Sequence, residues 1–245
     1  MNIMATVRII GNALLDLTFP PRCHLCKEPV SSSSDFNICN TCMTSIQFIT
    51  SPVCNVCGIP FSGKGEDHIC SRCIENPPPY KAARAAMVYD GGCKEMLHGL
   101  KYNHKTSLRR PLGLITAKYL ETFVNSWKPD SIVPVPLHLS RLRSRGFNQS
   151  ILIGEILARN WRLPLIRDEL IRKLSTIPQV ELSREQRLSN LKGAFCVKPE
   201  NRIRGRRVLL VDDVFTTGST LSEASATLLR EGASEVFAVT AAHAP

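Results

Sequence analysis

The 245-residue sequence contains no apolar run long enough to cross a membrane, so membrane insertion is not expected. Its first residues, MNIMATVRIIGNALLDLTF, only loosely imitate a signal peptide. Asp16 interrupts the apolar part, and no small-x-small cleavage site follows. We therefore expect an amphipathic helix at the start of the chain, packed on the rest of a cytoplasmic protein.

The sequence also lacks a P-loop. Its one G-x-x-x-x-G-K spacing, at 58–64, is followed by Gly65 where the motif requires Ser or Thr, and no strand pattern precedes it. Few aromatic or basic residues lie between the cysteines of the first 80 positions, so little there favours nucleic-acid binding.

Acidic residues are in deficit. The chain has 31 Lys and Arg against 21 Asp and Glu, a formal charge of +10. Residues 1–80 hold five basic and six acidic residues, so the excess positive charge lies in the remaining sequence. Such an excess suits a ligand with several phosphates and would equally suit nucleic acid.

Cysteine, by contrast, occurs at regular spacing. Eight of the ten cysteines form four C-x-x-C pairs, and the last four positions repeat the first four 31 residues later. Because two such knuckles close a tetrahedron around Zn²⁺, we predict two structural zinc sites, one within each repeat. Pairing of the first knuckle with the third and of the second with the fourth is the alternative. Disulfides would require an exported chain. The predicted ligands are Cys23, Cys26, Cys39 and Cys42, then Cys54, Cys57, Cys70 and Cys73.

The segment at 208–220 reads VLLVDDVFTTGST. Its unalternating apolar run predicts a strand buried on both faces of a parallel sheet, ending at Asp212 and Asp213. Thr220 and Glu223 predict a capping box that begins a helix. The amino end of that helix would attract an anion, and the carboxylates would accept hydrogen bonds from vicinal hydroxyls or bind Mg²⁺ through water. A phosphate beside a diol describes a ribose 5-phosphate.

A second anion site is predicted upstream. The apolar strand at 131–136 leads into a loop at 137–146 that carries three arginines, and a helix begins near Phe147. A basic cluster that includes Lys101 precedes it, either as a phosphate contact or as a solvated helix end. The stretch Asn76-Pro77-Pro78-Pro79-Tyr80 predicts a domain boundary, with the amphipathic helix and cysteine knuckles in 1–76 and a larger domain in 80–245.

The 208–220 segment resembles the phosphoribosyl-pyrophosphate (PRPP) signature of type I phosphoribosyltransferases. The resemblance implies an α/β fold, a parallel sheet flanked by helices, with a small N-terminal zinc-ribbon domain. It implies that Asp212 and Asp213 take the ribose hydroxyls, and that Arg184 and Arg187 in a flexible loop stabilise the leaving pyrophosphate. The remaining implied contacts are Thr216, Thr217, Gly218, Ser219 and Thr220 for the 5-phosphate, with Arg141, Arg145 and Lys101 for other phosphates.

Together, P-V-P-L-H at 134–138, R-x-x-x-R-G-F-N-Q at 141–149, the PRPP signature and the cysteine knuckles resemble the competence protein F family. That family is implicated in natural competence or the use of external DNA, and some members are described as amidophosphoribosyltransferases. The resemblance implies Mg²⁺-dependent transfer of phosphoribosyl to a nitrogen nucleophile. Glutamine-dependent amide transfer is not expected, because the N-terminus lacks the catalytic Cys of a glutaminase. The alternative is a non-catalytic module that binds PRPP or single-stranded DNA for a DNA-uptake partner such as a helicase.

Overall fold

A computed structural model describes residues 20–30, 36–173, 193–199 and 202–244. The helix expected at the start of the chain, and Arg184 and Arg187, lie outside these residues. Across the described parts of the chain, no helix is both long and apolar enough to span a membrane.

The described elements alternate between strands and helices along most of the chain. The strands are β1 Ala82–Val88, β2 Ser131–Pro134, β3 Leu170–Arg172, β4 Phe195–Val197, β5 Arg207–Phe215 and β6 Glu235–His243. The helices are α1 Asn40–Thr44, α2 Ser71–Glu75, α3 Gly91–Tyr102, α4 Arg109–Trp127, α5 Leu139–Arg145, α6 Gln149–Trp161 and α7 Ser219–Arg230, with a 3₁₀ turn at Thr106–Leu108.

Four parallel strands form the main sheet, in the order β1-β6-β5-β2. Alternate residues of β5 enter two separate apolar cores: Leu209 and Val211 pack with α3, α4 and α6, and Val208 and Leu210 pack with α7 and the β3-β4 pair. A strand covered on both faces is apolar without alternation, which explains the sequence pattern. The predicted α/β class, with a parallel sheet flanked by helices, is confirmed.

The cysteine-rich head is hydrogen-bonded to the edge of this sheet. The Ile49 backbone N–H donates to the Ala86 carbonyl at 3.1 Å, and the Ala83 N–H donates to the Val56 carbonyl at 2.7 Å. These bonds satisfy backbone groups of β1 that an open edge would leave unpaired. The boundary at 76–80 stays a prediction, and main-chain hydrogen bonds join the segments on its two sides.

Three local predictions are corrected by the structure. Strand β5 does not end at the acid pair but continues to Phe215. The predicted capping box is wrong, because Gly218 is the N-cap of α7 and Glu223 instead accepts a hydrogen bond from the Gly193 N–H at 2.8 Å. Gly218 adopts a left-handed conformation, φ +79°, so Thr220 already lies inside the first turn.

The third correction concerns the arginine segment, which we predicted as a loop. It forms the short helix α5, because His138 Nδ1 caps the start by accepting from the Ser140 N–H at 3.2 Å. Gly146, in a left-handed conformation, ends it. The arginines therefore project from a helix with defined ends.

Close approach of the second cysteine repeat to β1 gives a test of this packing. A Cβ on Gly58 would lie 2.5 Å from the Ala83 carbonyl oxygen, whereas a Cβ on Gly63 would meet nothing within 4 Å; both glycines have positive φ. We expect Gly63→Ala to lower the free energy of unfolding by about 1 kcal/mol, the usual cost of a left-handed alanine. Gly58→Ala should lower it by about 2 kcal/mol more, because the backbone of β1 must shift. Urea unfolding of the zinc-loaded proteins measures both, and equal losses would contradict the packing described here.

Candidate functional site

A cleft of about 200 Å³ opens beyond the carboxyl ends of β2 and β5. Ligands of parallel α/β sheets bind at this end of the strands. The cleft contains both predicted acids, both predicted anion sites and Lys101, although they are far apart in sequence. The polar lining consists of Lys101, Tyr102, Arg141, Arg145, Arg172, Asp212, Asp213, Thr216 and Thr220.

Asp212 lies half-buried at the base of the cleft. Its Oδ1 accepts hydrogen bonds from the Ser150 hydroxyl and from the Asp213 N–H, both at 2.9 Å. Burial, followed by repulsion from Asp213, raises the pKa of Asp212 to about 7, and the two hydrogen bonds and Lys101 only partly oppose that rise. The carboxyl group of Asp212 therefore loses its proton at a higher pH than an ordinary aspartate does.

Asp213 forms an ion pair with Lys101. The distance from Lys101 Nζ to Asp213 Oδ2 is 2.8 Å, and the two side chains are 17% and 14% exposed. Burial opposes the charge on Lys101, but attraction by Asp213 and then Asp212 raises its pKa. The predicted solvated helix end is therefore excluded for Lys101, which is held as a cation inside the cleft.

The hydroxyl-rich loop lies between β5 and α7. Thr217 and Ser219 hydrogen-bond each other through their hydroxyls at 2.7 Å, while Thr216, Gly218 and Thr220 line the cleft. Since α7 has 12 residues, the N–H groups of its first turn and its dipole make this end favourable for an anion. The loop and the acid pair thus form one wall.

The other charged residues of the lining are arginines from α5 and β3, which form the cationic wall of the cleft. Arg141 and Arg145 on α5 both line the cleft, and the Arg145 guanidinium lies 5.6 Å from the centre of the Tyr102 ring. Arg172, which sequence analysis did not select, joins them from β3. No signal in its neighbourhood marked it, because β3 is placed by pairing with β4, more than twenty residues later.

Ser150 was also missed as a functional residue, although a signal was present. Asn148 caps α6 by accepting from the Ser150 N–H at 3.0 Å, and its amide donates to the Val135 carbonyl at 2.9 Å. These bonds fix the start of α6 beside β5. The N-Q-S order that begins the helix therefore also directs the Ser150 hydroxyl at Asp212.

The eight predicted metal ligands form two clusters, Cys23, Cys26, Cys39 and Cys42, and Cys54, Cys57, Cys70 and Cys73. Within each cluster the sulfurs all lie within 4.8 Å of one another. The Cys26–Cys39 and Cys57–Cys70 sulfur distances are 3.6 and 3.8 Å. A tetrahedron with zinc–sulfur bonds of about 2.3 Å has sulfur–sulfur edges of about 3.8 Å, so the donor sets fit zinc. The sulfurs therefore cluster within each repeat, as the predicted pairing requires and the interleaved alternative does not.

A buried arginine connects the second cluster to the sheet. Arg84 lies on β1, and its guanidinium donates to the carbonyls of Cys54 and Asn55, each at 3.2 Å. It also lies 5.0 Å from the centre of the Phe123 ring. Four thiolates and one Zn²⁺ carry a net charge of −2, so a buried guanidinium beside them is electrostatically favourable.

Comparison with known proteins agrees with this architecture. Residues 14–74 match the double zinc ribbon domain, and residues 149–245 match the phosphoribosyl transferase domain. The DNA utilization protein YhgH of Escherichia coli (strain K12) is 33% identical over 223 residues, which are 90% of this chain and 96% of that protein. Competence protein F of Haemophilus influenzae is 42% identical over 109 residues, 44% of this chain and 48% of that protein.

Among solved structures, one similar chain is a glutamine PRPP amidotransferase from B. subtilis complexed with ADP and GMP. The TM-score is 0.37 and the identity 22%, over 54% of this chain and a quarter (25%) of that chain.

Paired cysteine substitutions test the zinc pairing. Cys23→Ser with Cys42→Ser changes one cluster, so we expect loss of one zinc ion and retention of the other. Cys23→Ser with Cys57→Ser changes both clusters and should remove both ions. Interleaved pairing would give the opposite pattern, and native mass spectrometry counts the ions.

The pKa of Asp212 generates a pH prediction. Because the folded pKa, about 7, lies above the ordinary value of 3.8, the folded protein holds a proton that the unfolded chain releases. Asp212 therefore weakens stability progressively as pH rises through this window. As the pH rises from about 4 to about 7, the unfolding free energy of the wild type should fall by about 2 kcal/mol relative to that of Asp212→Asn. This fall is smaller than the full pKa difference implies, because the cleft leaves Asp212 partly solvated.

Urea unfolding at several pH values measures this difference, and groups common to both proteins, including the thiolates, cancel. A difference that does not change with pH would contradict the raised pKa.

Proposed function

This chain belongs to the family of competence and DNA-utilisation proteins that join a double zinc ribbon to a phosphoribosyltransferase domain, and we propose that it is a PRPP-dependent transferase. It would transfer phosphoribosyl from PRPP to a nitrogen nucleophile and release pyrophosphate. One observation carries the proposal. A pair of carboxylates, the start of α7 and two arginines all line a single cleft.

The acid pair and the hydroxyl loop suit the two ends of a ribose 5-phosphate. The 5-phosphate would accept hydrogen bonds from N–H and hydroxyl groups around Gly218, at the start of α7. The ribose hydroxyls would donate to Asp212 and Asp213. The hydrogen bonds that Ser150 and Lys101 make to these carboxylates hold them in place before a ligand arrives.

The arginines suit the leaving group. In the proposed reaction the nitrogen lone pair forms a bond to C1 of the ribose, and the electrons of the C1–O bond depart with pyrophosphate. The nitrogen proton passes to solvent. Negative charge builds on the departing oxygen, and Arg141 and Arg145 would stabilise it. Arg184 and Arg187 keep their predicted role on the same leaving group.

Magnesium enters this proposal as part of the substrate. PRPP carries a pyrophosphate, and Mg²⁺ binds phosphate oxygens while keeping several of its waters. We propose that the protein takes PRPP as its magnesium complex, in the cytoplasm. The chain's own contribution is the cationic wall and the acid pair.

A second candidate function is a module that binds PRPP or single-stranded DNA without catalysis and serves a DNA-uptake partner such as a helicase. It is favoured by Tyr102, which lines the cleft with its side chain 61% exposed. An exposed ring beside Arg145 offers a surface on which a base could stack. The two functions differ in whether pyrophosphate is released.

Ligand-induced stabilisation tests the PRPP site. PRPP with Mg²⁺ at about a hundred times its dissociation constant should add about 2.7 kcal/mol to the free energy of unfolding of the wild type. The double variant Asp212→Asn with Asp213→Asn should lose most of this gain, because amides no longer offer charged acceptors to the ribose hydroxyls.

Glu121→Gln is the matched control, since it neutralises an exposed acid on α4 and should keep the full gain. Absence of any gain in the wild type would contradict PRPP binding. A gain without pyrophosphate release across a panel of nitrogen nucleophiles would favour the non-catalytic module.

A further inference from the structure

Two adjacent carboxylates in the lining of a cleft have the composition of a divalent-cation site. In this protein the place of the cation is taken by a side chain. Lys101 Nζ lies 2.8 Å from Asp213 Oδ2, and both side chains are mostly buried. The charge of Asp213 is therefore balanced by a lysine of the same chain before any ligand binds.

The inner acid, Asp212, offers little to a metal either. Its Oδ1 already accepts two hydrogen bonds, from the Ser150 hydroxyl and the Asp213 N–H. Divalent cations of the magnesium class prefer ionised, accessible oxygen ligands. One acid is thus shared with a lysine, and one oxygen of the other already accepts two hydrogen bonds.

Lys101 is also held rigidly. It lies near the end of α3, and Met96, Leu97 and Leu100 of the same helix are fully buried in the core. The helix begins against the first cysteine repeat, where the Gly92 N–H lies 3.4 Å from the Ser45 carbonyl. A helix fixed at its start and along its face delivers the ammonium group to one place.

We propose that Lys101 is the resident cation of the acid pair, a positioning residue that replaces a protein-bound divalent metal. The pair then binds a ribose diol without a metal of its own, and magnesium reaches the cleft only on the phosphates of the ligand. This inference deepens the proposed PRPP site and rests on it for the identity of the diol. In the ligand-free protein, the acid pair therefore holds no divalent metal.

Manganese binding to the zinc-loaded, ligand-free protein tests the inference, because Mn²⁺ prefers oxygen ligands and is counted by electron paramagnetic resonance. The wild type should show no Mn²⁺ site in the cleft. Lys101→Gln should bind one Mn²⁺ tighter than the wild type by about tenfold or more, because it frees the carboxylates from a close positive charge. Adding Asp213→Asn to that variant should abolish the site.

Lys94→Gln is the matched control, since it removes the same charge from an exposed position of the same helix and should behave like the wild type. Tight Mn²⁺ binding by the wild type that Asp213→Asn abolishes would overturn the proposal. A Lys101→Gln protein that folds but gains no Mn²⁺ site would also overturn the proposal, because Lys101 would then not be filling a cation site.

A second measurement keeps the proposal testable if Lys101→Gln does not fold. Ribose 5-phosphate carries the diol but no pyrophosphate, so its affinity for the wild type should be unchanged by millimolar Mg²⁺. Strengthening by Mg²⁺ would overturn the resident-cation role. Failure of ribose 5-phosphate and of PRPP to bind would contradict the proposed function, while the manganese result would still decide the role of Lys101.

Discussion

Two adjacent acidic side chains in the second half of β5, a strand buried between two apolar cores, are the constraint on which the rest of this structure depends. Asp212 and Asp213 follow an apolar run that is covered on both faces. Such charges are costly unless hydrogen bonds or opposite charges compensate them. The compensation comes from α6, through the Ser150 hydroxyl, and from α3, through Lys101. Two helices that are distant in sequence are thus brought to the same edge of the sheet.

The same constraint explains why the cleft holds both a paired acid and arginines that are not paired with it. Among the described residues, the ion pair of Asp213 is made with Lys101 and not with an arginine of the cleft. Arg145 remains beside the Tyr102 ring, at 5.6 Å from its centre. The cationic wall therefore keeps its charge for a ligand. A site in which carboxylates accept hydrogen bonds from hydroxyls and arginines bind phosphates suits a molecule that carries both kinds of group.

Much of this arrangement could be predicted from sequence because it rests on local patterns. The unalternating run before Asp212 identifies a strand covered on both faces, and C-x-x-C spacing identifies the metal clusters. What escaped prediction depends on tertiary placement. Arg172 reaches the cleft only through the pairing of two three-residue strands, and the Lys101–Asp213 pair joins residues more than a hundred positions apart. The capping box failed for a local reason, since the left-handed turn at Gly218 started α7 one residue before Thr220.

The cysteine-rich head has a structural connection to the cleft that its sequence does not indicate. Leu25, inside the first knuckle, and Ile46 contact the start of α3 so closely that a Cβ on Gly92 would lie 3.1 Å from both side chains. Zinc binding by that knuckle would order the surface against which α3 begins, and α3 carries Lys101 near its other end. The second repeat is attached differently, through Arg84 on the edge strand β1. The first zinc cluster therefore supports the helix that neutralises the acid pair, and the second supports the sheet from which that pair projects.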